Sequence, residues 1–151
     1  MWKNKKAAIS ITVDDSCLTY AKDLAKMGYA GTYYLDRVVE RDVNYLISLN
    51  HEVGAHTHTH PYKYPSPKEY DFDIKINLSE INSCLNGLDC NSFAWPYGHT
   101  NLHLQEAASN YFTSARGYNL NQLETHNPRN FLNLKFPYIN FDKNPKTEPI
   151  I

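Results

Sequence analysis

Short apolar runs rich in β-formers alternate along the chain with stretches whose apolar positions recur at helical spacing. That alternation predicts βα units around a mostly parallel sheet. In Ala7–Val13, Ile9, Ile11 and Val13 share one face with small or polar residues between them, which predicts a first strand. Leu18, Ala21, Leu24 and Ala25 then fall at helical spacing, with Gly28 placed to end the helix. Gly31–Leu35 predicts a second strand, Val43, Leu46, Ile47 and Leu49 a helix ending at Asn50, and Glu52–His56 a third strand. Pro61–Asp73, with three Pro and three Tyr, predicts a loop. Ile74, Leu78, Ile81 and Leu85 form the next helical stripe, closed by Gly87. Ser92–Pro96 predicts a fourth strand, Asn101–Asn110 a short helix, and Tyr111–Ala115 a fifth strand. After Arg116 the pattern weakens into an Asn-rich stretch with one further candidate strand, Phe131–Leu134. The tail Asn140–Ile151, with Pro145 and Pro149, reads as loosely ordered. The expectation is an α/β fold in one domain over residues 1–151.

Composition narrows the function classes more than the fold. The chain has 151 residues, 42% hydrophobic and 21% charged, which is ordinary globular usage. Fifteen Lys and Arg against 16 Asp and Glu leave a formal net charge of −1, so the basic footprint of a nucleic-acid binder is missing. No apolar run approaches the roughly 18 residues of a spanning helix. Met1–Lys6 has the look of a signal-peptide start, but Ala7–Val13 is short and runs into Asp14 and Asp15. It is read as a buried strand, with a cytoplasmic location expected. Cys17, Cys84 and Cys90 cannot all pair within one chain and lack the tight spacing of a zinc knuckle, so free thiols are expected. The unusual count is seven His, four of them between His51 and His60.

Three polar clusters fall where three predicted strands end: Asp14-Asp15, His56 to His60, and Trp95-Pro96-Tyr97-Gly98. Parallel α/β sheets carry their chemistry at those ends. Two adjacent carboxylates there call for an offsetting charge, which a divalent cation would supply. His56 and His60, four apart, would point the same way on one helical turn. One carboxylate with two His leaves positions open for water. The plainer alternative makes Asp14-Asp15 a cap for a helix starting near Cys17 and the histidines solvated loop residues. Each alternative is the better reading of its cluster alone; the three clusters landing together at strand ends favour a site.

The three clusters also resemble the motifs of the NodB-like polysaccharide deacetylases, carbohydrate esterase family 4. Thr12-Val13-Asp14-Asp15 matches the family's Thr-x-Asp-Asp. Glu52-Val53-Gly54-Ala55-His56-Thr57-His58-Thr59-His60-Pro61 matches its His-Ser/Thr-x-x-His with the preceding strand. Phe93-Ala94-Trp95-Pro96-Tyr97-Gly98 matches its Phe-Arg-x-Pro-Tyr-Gly. Gly31–Leu35 is similar to the family's Thr-Phe-Phe strand, and the likeness covers about residues 7–118, leaving 119–151 irregular. The resemblance implies a distorted, incomplete (β/α) barrel of the NodB-like deacetylase type. It further implies a metal-dependent hydrolase that removes N-acetyl groups from an acetylated sugar or polysaccharide. Asp15, His56 and His60 would hold a divalent metal, most often zinc in this family, and Asp14 would be the general base. The backbone N–H of Tyr97 would complete the oxyanion hole. Thr57 would orient His56 or line the pocket, and Thr57, Trp95, Pro96 and Tyr97 would meet substrate.

Two departures shape the expectations. Ala94 stands where the family usually has an Arg that tethers the catalytic Asp, and Arg116 is expected to replace it by pairing with Asp14, a surface Arg being the even alternative. The family's late Leu-x-His, source of the general acid, has no match after Ile139, where the sequence holds no His; His126 lies earlier. The chain is therefore expected to be a fragment, a split gene product or a compact variant, with self-association through an open barrel edge. Two further readings stand beside N-deacetylation: a hydrolase of a non-sugar amide or an O-acetyl group, and a non-catalytic metal- or glycan-binding relic. His58 is expected on the substrate side or solvated, with a replacement ligand the lesser alternative; His99 and His103 are expected as surface residues at a helix start, with a substitute acid in the cleft the lesser alternative. Cys17 is expected as a packing thiol, and Trp95 and Tyr62 at the cleft.

Overall fold

The computed structural model describes residues 9–63, 66–118, 124–125 and 128–135. Five strands and four helices alternate: β1 (Thr12–Val13), α1 (Ala21–Lys26), β2 (Thr32–Leu35), α2 (Glu40–Ser48), β3 (Glu52–Ala55), α3 (Pro67–Cys84), β4 (Ser92–Ala94), α4 (Leu102–Ala108) and β5 (Ser114–Arg116). All pairings are parallel and the sheet order is β1-β2-β3-β4-β5. Right-handed crossovers that add each strand on the same side lay the helices along one face. The result is a curled half-barrel, an incomplete barrel of the NodB-like type.

Side-chain alternation gives the two faces opposite characters. Tyr33, Leu35, Val53, Ala55, Phe93, Trp95 and Ala115 are buried under the helices, against Val43, Leu46, Ile74, Ile81, Leu104 and Ala108. The concave face carries Thr32, Tyr34, Glu52, Gly54, Ser92, Ala94 and Arg116. There Glu52 accepts hydrogen bonds from Thr32 Oγ1 at 2.6 Å and Ser92 Oγ at 2.8 Å, tying β2, β3 and β4 together. Gly54 lets the Tyr34 ring lie across β3, because a Cβ at this position would sit 2.4 Å from Tyr34 Cδ1. Gly54→Ala must therefore displace that ring. We expect it to cost about 1–3 kcal/mol, the range for overpacking a filled site, read as a lower urea midpoint.

Strands β1 and β4 are shorter than expected, and four further departures concern other elements. Helix α3 begins at Pro67, seven residues earlier than the stripe from Ile74, and replaces much of the expected loop. Ser66 and Glu69 form a capping box with Pro67 in the first turn, which stabilises that start. Helix α1 starts only at Ala21, so Asp14 and Asp15 do not cap it. The fifth strand is Ser114–Arg116 rather than Tyr111–Ala115. Phe131–Leu134 forms a single parallel bridge, Leu134 to Arg116, instead of a strand. Its backbone still serves the β5 edge: Ala115 N–H donates to Phe131 O, Leu134 N–H to Ala115 O and Gly117 N–H to Leu134 O, at 2.7–2.9 Å. The β5 edge is thus partly covered, and the open edge among the described strands is that of β1. Residues 1–8, His126 and the tail from Phe136 lie outside the described residues. Among those described, no helix is long and apolar enough to cross a membrane.

A candidate metal centre at the strand ends

The three predicted clusters meet at the carboxyl ends of β1, β3 and β4. Asp15 follows β1, His56 follows β3, and Tyr97 lies in a 3-10 turn, Pro96–Gly98, after β4. Together with Asp14, His60, Gly98, Arg116 and Tyr118 they line a cavity of about 340 Å³. Seven non-glycine residues among those described have positive φ, and five of them, Asp15, Ser16, Thr57, His60 and Tyr97, lie on these loops. Such backbone costs on the order of 1 kcal/mol or more per residue and concentrates at functional sites. His56 and His60 do not share the expected helical turn. Left-handed Thr57 and His60 instead fold the loop tightly, and the His60 N–H donates to Thr57 Oγ1 at 3.2 Å. Thr57 is fully buried, so it shapes the loop and does not line the cavity.

The ring of His56 is also buried, and its Nδ1 lies 2.7 Å from the carbonyl oxygen of Ala94. A carbonyl can only accept, so Nδ1 carries the proton and Nε2 of the neutral ring presents a lone pair. That lone pair faces His60 Nε2 at 3.1 Å and Asp15 Oδ1 at 3.4 Å, while His60 Nε2 and Asp15 Oδ1 are 3.2 Å apart. Tetrahedral ligands about 2.0–2.1 Å from zinc stand roughly 3.3 Å from one another. The three atoms therefore fit one face of a zinc tetrahedron, and they are the three-residue metal-ligand group among the described residues. When the imidazoles are protonated, a hydrogen bond from His56 holds the Asp15 carboxyl below its usual range against partial desolvation, and the charges of His56, His60 and Arg116 add to this.

Arg116, at the end of β5, donates from Nη2 to both carboxylate oxygens of Asp14. Its guanidinium also lies 5.3 Å from the centroid of the Tyr34 ring that covers Gly54. Burial pushes the Tyr34 phenol up to about 12, so it stays neutral beneath that cation. Ala94, which lacks the family's usual arginine, is paired in register with Arg116.

Trp95 does not reach the cleft. It shares the helix-side face with Phe93, is 1% exposed, and donates from Nε1 to Leu132 O at 2.8 Å. Pro96 is buried as well and is absent from the cavity wall. Tyr97 is 49% exposed, flanked by His60 at 4.7 Å and by Tyr62 at 5.0 Å between ring centroids. Tyr62 and His99 thus lie at the rim, 5.9 Å apart. His58 is a surface residue, 3.1 Å from Glu80 Oε2, and His103 is exposed. Cys17, Cys84 and Cys90 are free. Sequence reading missed Tyr118, which closes one wall. The only sign of it is Gly98, where an added Cβ would lie 1.8 Å from Tyr118 Cβ at a φ of +68°.

The chain belongs to the polysaccharide deacetylase family, whose profile it matches over residues 3–114. No curated protein sequence matches it significantly. It is similar in fold to a deacetylase from Streptococcus pyogenes in complex with acetate, at 17% identity over 90% of this chain and 66% of that one, with a TM-score of 0.77. A family 4 carbohydrate esterase from Streptomyces lividans, also in complex with acetate, gives 20% identity, 76% and 64% coverage and a TM-score of 0.67. A pseudoenzyme of the same esterase family from Bacillus anthracis gives 24% identity, 74% and 43% coverage and 0.66. The chain therefore spans 43–66% of the length of these three.

Proposed function

We propose that the chain is a metal-dependent hydrolase that removes N-acetyl groups from an acetylated sugar or polysaccharide. The observation that carries this reading is the Asp15–His56–His60 triangle, with edges of 3.1–3.4 Å, in a cavity that also holds Asp14. Those three residues would hold a zinc-class ion, leaving a side open toward the cavity. Bound there, zinc supplies Lewis acidity: it polarises a carbonyl and brings water to a pKa of about 7. Asp14 takes the proton of the attacking water, and Arg116 fixes the direction of its carboxylate. Each Asp14 oxygen keeps lone-pair capacity beyond the one arginine contact. The Tyr97 backbone N–H donates to the oxygen that gains charge at the acetyl carbon. The leaving amine takes its proton from solvent or from His99 at the rim. The exposed rings of Tyr62 and Tyr97 offer an apolar wall for a sugar.

A second reading, a binder without turnover, is supported by the similarity to a pseudoenzyme. Acetate release from N-acetylated chitooligosaccharide and from peptidoglycan separates the two. Turnover on either substrate favours the hydrolase, whereas zinc uptake with no acetate from either favours the binder.

A further inference from the structure

Two buried polar side chains outside the cavity lie on α3, behind the histidine loop. Asn77 is fully buried in the body of that helix. Its Oδ1 accepts from the His56 N–H at 3.0 Å, and its Nδ2 donates to the Leu35 carbonyl at 2.9 Å. Leu35 and Ala55 are the last paired residues of β2 and β3. The Asn77 amide is thus inserted where the next rung of the ladder would form, and it bridges two strands that have begun to separate. The amide serves both partners, since the His56 N–H can only donate and the Leu35 carbonyl can only accept. One turn earlier on the same face, the buried carboxylate of Asp73 receives the Thr59 N–H at 3.1 and 3.3 Å. The residue at the start of the loop and the one just before His60 are therefore both held by α3.

We propose that Asn77 and Asp73 are positioning residues that preset the His56–His60 loop for metal capture. The proposal rests on the metal-centre reading above. Without these bonds the loop must be ordered by the metal itself, so affinity falls while the ligands stay intact. Partners that orient metal ligands are typically worth 10–100-fold in affinity. Asn77→Asp keeps the acceptor for His56 but loses the donor to Leu35. Asp73→Asn keeps one acceptor for Thr59 and tests the same idea should Asn77→Asp fail to fold. Ile81→Val, in the core side of the same helix, serves as a control for stability alone.

The experiment is a zinc titration against a chromophoric chelator, with urea unfolding of each metal-free protein. Expected is a 10–100-fold weaker zinc affinity in Asn77→Asp and a loss near the lower end in Asp73→Asn, with Ile81→Val binding as wild type. Folded variants within threefold of wild type would overturn the proposal. So would an equal loss in Ile81→Val, which would make affinity a plain consequence of stability. A wild type that takes up no zinc would instead contradict the metal centre itself.

Discussion

Asp14→Asn is expected to leave zinc content unchanged and to slow acetate release by a factor on the order of 10²–10⁴, the usual worth of a positioned general base. The argument is geometric. Asp14 lines the same cavity as the triangle yet is not one of its corners, and Arg116 donates to both of its carboxylate oxygens. Asparagine preserves the volume and can still accept from Arg116, but it cannot take a proton from water. Metal content by plasma emission and initial rates on acetylated chitooligosaccharide give the two readings. Loss of zinc together with rate would make Asp14 a ligand, and an unchanged rate would remove it from the mechanism.

His56→Ala is expected to abolish stoichiometric zinc and acetate release together. The buried ring supplies one corner of the triangle, and two corners, Asp15 and His60, cannot hold the ion in an open tetrahedral site. The same change leaves the Ala94 carbonyl without its donor, a loss of about 1–3 kcal/mol when such a group stays dry. His60→Ala separates the two effects, because His60 is half-buried and its ring makes no such backbone bond. It should lose zinc with little change in the urea midpoint. Full metal content in either folded variant would contradict the ligand set.

The order of strands and helices, and the three clusters at the strand ends, were legible because each is a local pattern. Apolar periodicity marks the core face, and short runs such as Thr12–Asp15 or His56–His60 carry their spacing with them. The start of α3 was legible too, in Ser66-Pro67-Lys68-Glu69, but the Pro and Tyr around it masked the capping box. The placing of Trp95 fails on alternation: it shares parity with Phe93, and Phe93 packs under the helices. Other features depend on the curl of the half-barrel. The Asp14–Arg116 pair, 102 residues apart, was expected from the family resemblance and from no local pattern, and no local signal encodes the Asn77 bridge or the approach of Tyr118 to Gly98. Left-handed Thr57 and His60 are likewise invisible in a residue pattern, since neither is the glycine or asparagine that such backbone favours.

The most direct test of the account couples metal content to chemistry on one preparation of the protein. Purified chain is analysed for bound metal, assayed for acetate release from acetylated chitooligosaccharide, stripped with chelator, assayed again and reloaded with zinc. The account predicts about one zinc-class ion per chain, acetate release that disappears on stripping, and its return in proportion to the zinc restored. Acetate release that survives complete removal of metal, or a chain that neither holds zinc nor regains activity with it, would contradict it.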